Sequence, residues 1–383
     1  MRVMRVLTRC NLGGPTQQAI ALWHAHHELG VPTLLVTGAT AADEAMLSPA
    51  AHGVPALSLA AALAAGERAE GWVEVPGLLR GIAPLGDHRA FAALRDLMRA
   101  CRPTVVHTHT SKAGWLGRAA ARALRVPSVH TFHGHVLRDY FAPPLQWWLK
   151  HLERRLARHT ARLLAVSASC ADELAAAGVA ERARFHVVPP AVPVVPIADR
   201  AAARAQLAIP AEQQRVVCVG RLVPIKRVDH FVRAIAQLDG VHGDVVGDGP
   251  LRQELRTGVD AGGRVHWRGA VVGIAANLAA YDALVLPSAR EGYPLVVVEA
   301  RRAGVPVVGY DVPGVRDALA GGGGELVPAA AGPAGLAAAL RRVLAPAPAT
   351  APRAASDAFA PAAVAGELLD VYRPLANCRA GLP

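Results

Sequence analysis

Short apolar runs alternate with longer helical patterns along this chain, and after a proline-rich segment the alternation starts again. That rhythm demands parallel sheets, because a strand reaches a parallel neighbour only through a crossover, usually a helix. In the first half, strands are expected at residues 3–8, 33–36, 104–107, 128–132, 163–166 and 185–188. Helices are expected at 16–29, 88–100, 113–123, 145–159 and 171–176. Residues 189–196 hold four prolines and no polar side chain, which makes a stiff linker. Beyond it, strands are expected at 216–219, 244–247, 265–267, 284–286 and 305–308, with helices at 228–237, 251–257, 275–280, 295–303 and 333–344. A Pro/Ala stretch at 345–352 precedes a last helix at about 361–372. The fold class is α/β. Two Rossmann-like domains, 1–190 and 197–356, face each other across a cleft between the carboxyl edges of their sheets, where open α/β folds place ligands. Residues 357–383 form a helix and tail that pack back towards the first domain.

A length of 383 residues suits two domains, and 52% hydrophobic residues suffice for both cores. No apolar run approaches the roughly 20 residues that span a bilayer. Residues 1–10 enter a strand pattern at once, without a signal core or cleavage site, so a cytoplasmic protein is expected. Five scattered cysteines form no CxxC pair, which excludes a disulfide framework and a zinc site of that kind. The net charge of +11 rests on arginine and on three lysines, Lys112, Lys150 and Lys226, and favours anionic partners. With 4% aromatic residues and no nucleic-acid-binding motif, the anion is not a nucleic acid. Residues 145–162 set Leu145, Trp148, Leu149, Leu152 and Leu156 in one stripe among basic residues. Such a helix packs on a core, or lies peripherally on the anionic inner face of a membrane.

The chemistry concentrates where strands end. Glu291-Gly-Tyr-Pro-Leu-Val-Val-Val-Glu299 follows the strand at 284–286 and enters a helix through Pro294, a residue favoured at the first helical position. One carboxylate sits on the turn and a second lies inside the helix. Between them the helix start offers backbone N–H groups and a positive dipole end to an anion. Carboxylates suit sugar hydroxyls and a helix start suits phosphate, so a nucleotide-sugar site is expected. Arg221 and Lys226 follow the strand at 216–219 and bring a fork and a point charge for phosphate oxygens. Gly13-Gly14-Pro15 and Gly247-Asp-Gly-Pro250 are glycine turns after strands, each readable as a ligand loop or as an ordinary turn. No dinucleotide GxGxxG is present. His107, His109, His130, His133 and His135 crowd two strand ends. With no carboxylate or cysteine to complete a metal set, they read as one or two polar cleft residues among structural ones. No Asp-x-Asp pair offers a divalent cation to a diphosphate.

Taken in order, Gly13-Gly14-Pro15, Val106 to Gly114, His130 to His135, Val219 to Lys226, Gly247 to Pro250 and Glu291 to Glu299 resemble the retaining family-4 glycosyltransferases of the GT-B fold, over nearly the whole chain. The resemblance implies a hexose moved from a nucleoside-diphosphate sugar, a UDP-sugar by preference, to an acceptor hydroxyl with retention, and without metal or cofactor. It implies Glu299 on the ribose hydroxyls, and Glu291 with the backbone of Gly292, Tyr293, Pro294, Leu295 and Val296 on the sugar and phosphate. Arg221 and Lys226 would neutralise the diphosphate, His133 would lie near the scissile bond, and Gly13 and Gly14 would approach the diphosphate. A front-face retaining route needs no enzyme carboxylate as nucleophile, so neither glutamate is assigned as one. The acceptor, in polysaccharide, glycolipid or metabolite synthesis, is not specified. A nucleotide-sugar 2-epimerase of the same architecture is the alternative, and would need acid/base carboxylates in the first half, Asp139 being one. A non-catalytic nucleotide- or membrane-binding module is the third reading.

Overall fold

A computed structural model of the chain describes residues 1–40, 45–134, 143–258, 261–345 and 357–380. It divides into two compact units, Met1–Pro193 with Ala358–Pro383, and Val194–Asp357. In chain order the first unit runs β1 (Val3–Arg9), α1 (Gly14–Glu28), β2 (Thr33–Gly38), β3 (Ala56–Leu57), α2 (Leu59–Ala65), β4 (Gly71–Glu74), α3 (Pro84–Cys101), β5 (Val105–His109), α4 (Ser111–Ala123), β6 (Ser128–Phe132), α5 (Pro143–His159), β7 (Arg162–Ala165), α6 (Ala168–Ala176) and β8 (Phe185–Val187). The second unit holds α7 (Arg200–Gln206), β9 (Gln214–Val219), α8 (Val228–Ala236), β10 (Val241–Val246), α9 (Arg252–Gly258), β11 (Val265–Gly269), β12 (Ala283–Leu286), α10 (Leu295–Arg302), β13 (Val307–Tyr310), α11 (Pro313–Leu319), β14 (Gly324–Val327) and α12 (Gly332–Leu344). The last helix, α13 (Pro361–Ala380), belongs to the first unit.

Both sheets are parallel throughout their described pairings. The first has the order β3-β4-β2-β1-β5-β6-β7-β8 and the second β11-β10-β9-β12-β13-β14. Helices cover both faces of such a sheet, so its central strands are apolar along their whole length. Accordingly β5, β6, β12 and β13 are buried at every position. Each Val or Leu so enclosed contributes roughly 1.5–3 kcal/mol.

Topology fixes where a ligand can sit in each unit. From β9 the chain winds out to β10 and β11, then returns to lay β12 on the other side of β9. In the first unit the same reversal separates β1 from β5. A crevice opens at the carboxyl ends of the two strands flanking such a reversal.

Several elements differ from the sequence reading. The strands β3, β4 and β14 and the helices α2, α7 and α11 were not expected there. The expected helix at 275–280 is a 3₁₀ segment, Ile274–Ala280. Helix α13 continues past 372 and carries Pro374 inside it. The proline-rich segment is only half a linker: Ala191 and Val192 are fully buried in the first unit, and the Val192 N–H donates to the Phe359 carbonyl at 2.9 Å. On α5 the buried ridge is Leu149, Glu153 and Ala157 rather than the expected apolar stripe. Glu153 occupies the centre of that ridge because it pairs with the buried Arg118 of α4 at 2.7 Å, and Trp148 is left about half exposed.

Candidate active site

In the second unit the two strands at the reversal carry the charged residues singled out by sequence. After β9 the chain turns through Gly220, Arg221 and a 3₁₀ turn, Pro224–Lys226. After β12 it runs through Glu291 to the start of α10. The Ala289 N–H donates to the Ile225 carbonyl at 2.8 Å, which stitches the two loops together. Across that stitch the Lys226 ammonium donates to Glu291 Oε1 at 2.5 Å. Both side chains are largely but not fully enclosed, at 21% and 11% exposure. The sequence reading gave Lys226 to the diphosphate and Glu291 to the sugar, and did not foresee that they pair.

The Arg221 guanidinium is half-buried and has no hydrogen-bond or ion-pair partner among the described residues. The carboxylate of Glu299, one turn into α10, likewise makes neither kind of bond among the described residues. Enclosure by packed protein raises its carboxyl to about 7, against a smaller lowering by the neighbouring Arg302. Pro294 is not the first helical residue: it holds the cap position with an extended backbone (φ −76°, ψ 110°), and the helix begins at Leu295. The locked proline φ is compatible with both positions, so its type alone does not distinguish them. No side chain caps this helix start. Tyr293 is partly buried, and burial raises its phenol to about 12.

Two backbone approaches fix these loops. A Cβ on Gly247 would lie 1.9 Å from the Gly220 carbonyl oxygen, so the loop after β10 touches the loop after β9 main chain to main chain. The Leu222 N–H then donates to the Asp248 carbonyl at 2.9 Å. A Cβ on Gly314, at the start of α11, would lie 2.4 Å from the Glu291 carbonyl oxygen and 2.5 Å from that of Gly292. Gly314→Ala must therefore push the Glu291 turn aside. We expect a loss of about 1–3 kcal/mol by chemical denaturation together with weakened nucleotide binding. Unchanged binding would show that the turn's position is not critical.

In the first unit, Gly13 precedes α1 with an extended backbone (φ −170°, ψ 164°), and a Cβ there would meet nothing nearer than Asn11 at 3.7 Å. The fold itself therefore does not need glycine at 13. Gly14 is the first residue of α1, with Pro15 in its first turn.

The histidines separate by strand alternation. His130 lies on the α4 side, bonded to Thr108 Oγ1 at 2.8 Å. His107, His109 and His133 form a line on the other side. Arg5 Nη1 lies 3.4 Å from His107 Nδ1 and 2.9 Å from His109 Nε2, and His109 Nδ1 lies 2.9 Å from His133 Nε2. Burial lowers His133 to about 4, and lowers His107 and His109 well below the ordinary histidine value. Among the described residues no cluster suited to a metal ion occurs. His135 and Asp139 lie outside the described residues. Arg5 and Tyr372, which complete the line, were not singled out from sequence.

No helix among the described residues is long and apolar enough to cross a membrane. Trp147 and Trp148 of α5 are 62% and 48% exposed.

Known proteins resemble this chain. Residues 14–195 match the family model for Glycosyltransferase Family 4, and residues 213–346 match that for Glycosyl transferases group 1. The chain is 30% identical to the UDP-Gal:alpha-D-GlcNAc-diphosphoundecaprenol alpha-1,3-galactosyltransferase of Escherichia coli, covering 63% of this chain and 66% of that one. It is 32% identical to the 2-deoxystreptamine N-acetyl-D-glucosaminyltransferase of Streptomyces fradiae, covering 65% of this chain and 64% of that one. The alignments thus span slightly under two thirds of these relatives' own lengths. A sucrose-phosphate synthase from Thermosynechococcus elongatus superposes with a TM-score of 0.76 at 22% identity, covering 98% of this chain and 99% of that one, which establishes the shared fold. The two family models, in chain order across both units, and the parallel-sheet pair beneath them make this chain a member of the family-4, group 1 glycosyltransferases of the GT-B fold.

Proposed function

We propose that the protein transfers a hexose from a nucleoside-diphosphate sugar to an acceptor hydroxyl with retention of anomeric configuration. The observation that carries this reading is the set of charged groups at the reversal of the second sheet. Lys226 and Glu291 form a pair there, while Arg221 and Glu299 have no such partner among the described residues. A diphosphate supplies the anion that two cations at strand ends attract, and sugar and ribose hydroxyls supply the donors that two carboxylates accept. Glu299 takes the ribose, and Glu291 with the chain from Gly292 to Val296 takes the sugar and the adjoining phosphate. Arg221 and Lys226 stabilise the charge that grows on the departing diphosphate, the difficult step of the reaction. His133 supplies a hydrogen bond during transfer, and Gly13 and Gly14 leave the start of α1 open to the diphosphate. A UDP-sugar is the donor of choice, supported by the name of the Escherichia coli relative.

The test is a donor panel. Purified full-length protein is incubated with UDP-, GDP- and ADP-sugars, with and without EDTA, and with candidate acceptors bearing free hydroxyls. We expect acceptor-dependent release of UDP, an α-linked product from an α-linked donor, and no effect of EDTA. Interconversion of donor sugars without release would assign the chain to the epimerases instead. Because Trp147 and Trp148 stand exposed on the basic helix α5, the same preparation is floated with vesicles. Retention by anionic but not neutral vesicles is the expected result.

A further inference from the structure

Arg5 is an anomaly. It sits at the centre of the first sheet, fully buried, with no carboxylate beside it among the described residues. Four other buried cations face acids: Arg215 faces Asp244, Arg204 faces Asp282, Arg118 faces Glu153 and Lys112 faces Asp87, while Arg301 donates to the Ala318 and Gly321 carbonyls. What Arg5 faces instead is imidazole, with the Tyr372 phenol beside it. A guanidinium only donates hydrogen bonds, and a neutral imidazole has one donor and one acceptor nitrogen.

These two facts orient every proton in the line. His109 Nε2, 2.9 Å from Arg5 Nη1, must accept. The His109 proton is then on Nδ1, which donates to His133 Nε2 at 2.9 Å. His133 Nε2 must accept in turn, so the one proton of a neutral His133 is on Nδ1. The branch through His107 agrees. Its Nδ1 faces Arg5 and, at 2.5 Å, the Tyr372 hydroxyl, and its Nε2 donates to Thr131 Oγ1 at 2.7 Å. A cationic His109 would set N–H against N–H towards Arg5.

We propose that Arg5, acting through His109, is a positioning residue that holds His133 as the neutral tautomer with its proton on Nδ1. His133 then presents an N–H donor on the nitrogen not engaged by His109, and serves the reaction by donating a hydrogen bond rather than by taking a proton. Burial lowers His109 and His133, which favours the same neutral forms. The inference rests on the reading of His133 as a participant in transfer, and its primary test does not depend on activity.

Full-length protein labelled with ¹⁵N-histidine is examined by long-range ¹H–¹⁵N correlation, with the His133 signals assigned by their loss in His133→Gln. The expected wild-type pattern has a protonated Nδ1 and a bare Nε2. Arg5→Met should release His133 to a mixture of tautomers, and Arg5→Lys, which restores a donor, should return it. His109→Met, which leaves Arg5 in place, is the second variant and should release the tautomer in the same way. Tyr372→Phe should leave it unchanged. Released variants should lose turnover by roughly tenfold to a hundredfold, with the donor KM little altered. A wild-type His133 protonated on Nε2, or a spectrum that Arg5→Met and His109→Met both leave unmoved, overturns the inference. Released tautomers with undiminished turnover uphold Arg5's grip and instead remove His133 from the reaction.

Discussion

Lys226→Ala should lower kcat by about 100- to 1000-fold at saturating donor, the range found when one preorganised group facing developing negative charge is removed. The argument is differential. In the free protein the ammonium is held by Glu291 at 2.5 Å, a pair that is 21% and 11% exposed. A bound diphosphate carries more negative charge than one carboxylate, and most of it when the sugar–oxygen bond breaks. The ammonium therefore contributes more to the transition state than to the resting state, which is the condition for raising kcat rather than only lowering KM. Lys226→Arg should restore little, because a planar fork cannot reproduce a compact charge aimed at two successive partners. Thermal stability should fall as well, because the substitution leaves the largely enclosed Glu291 carboxylate without its counter-charge. Glu291→Gln supplies the matching control: it frees the ammonium, keeps the side chain's shape, and should raise the donor KM more than it lowers kcat. A Lys226→Ala enzyme within threefold of the wild-type kcat would remove the leaving-group role.

The strand-end positions of the candidate residues were legible because they are local. A charged residue just past an apolar run lies at a strand's carboxyl end, and strand–helix alternation states that the sheet is parallel. The Lys226–Glu291 pair was not legible. Its members are 65 residues apart, and they meet only because the winding lays β12 beside β9. Two of the three missed strands have physical causes. β3 is two residues long, and β14 opens on the last of the four glycines at 321–324, a composition that carries no strand signal. Arg5 escaped notice because a strand pattern reports which positions are inside, not that a cation at one of them will be matched by histidines from a neighbouring strand. At position 13 the residue type says nothing of backbone need, because the extended conformation there suits any residue.

Glu299 gives the second large effect, and its sign with pH is fixed by its surroundings. In the free protein enclosure raises the carboxyl to about 7. Such a group favours the fold while protonated, and that contribution is present below the ordinary carboxyl value and is lost as pH rises through about 7. Nucleotide binding should run the other way, because ribose hydroxyls donate best to the ionised form. UDP affinity is expected to rise through pH 7 and level off above it, so that free protein is destabilised by the same ionisation that readies it for ligand. Glu299→Ala should weaken UDP binding roughly 10- to 100-fold at pH 8, the range for hydrogen bonds to a charged group. Glu299→Gln keeps the shape and cannot ionise. It should melt at a higher temperature than the wild type at pH 8, bind UDP weakly at every pH, and retain only the slope contributed by the nucleotide's own phosphate. Calorimetric titrations of both proteins from pH 6 to pH 8 separate the two contributions. Parallel pH profiles for the wild type and Glu299→Gln would mean that this carboxylate does not meet the ribose, and the assignment of the second unit's α10 to the nucleoside would fall with it.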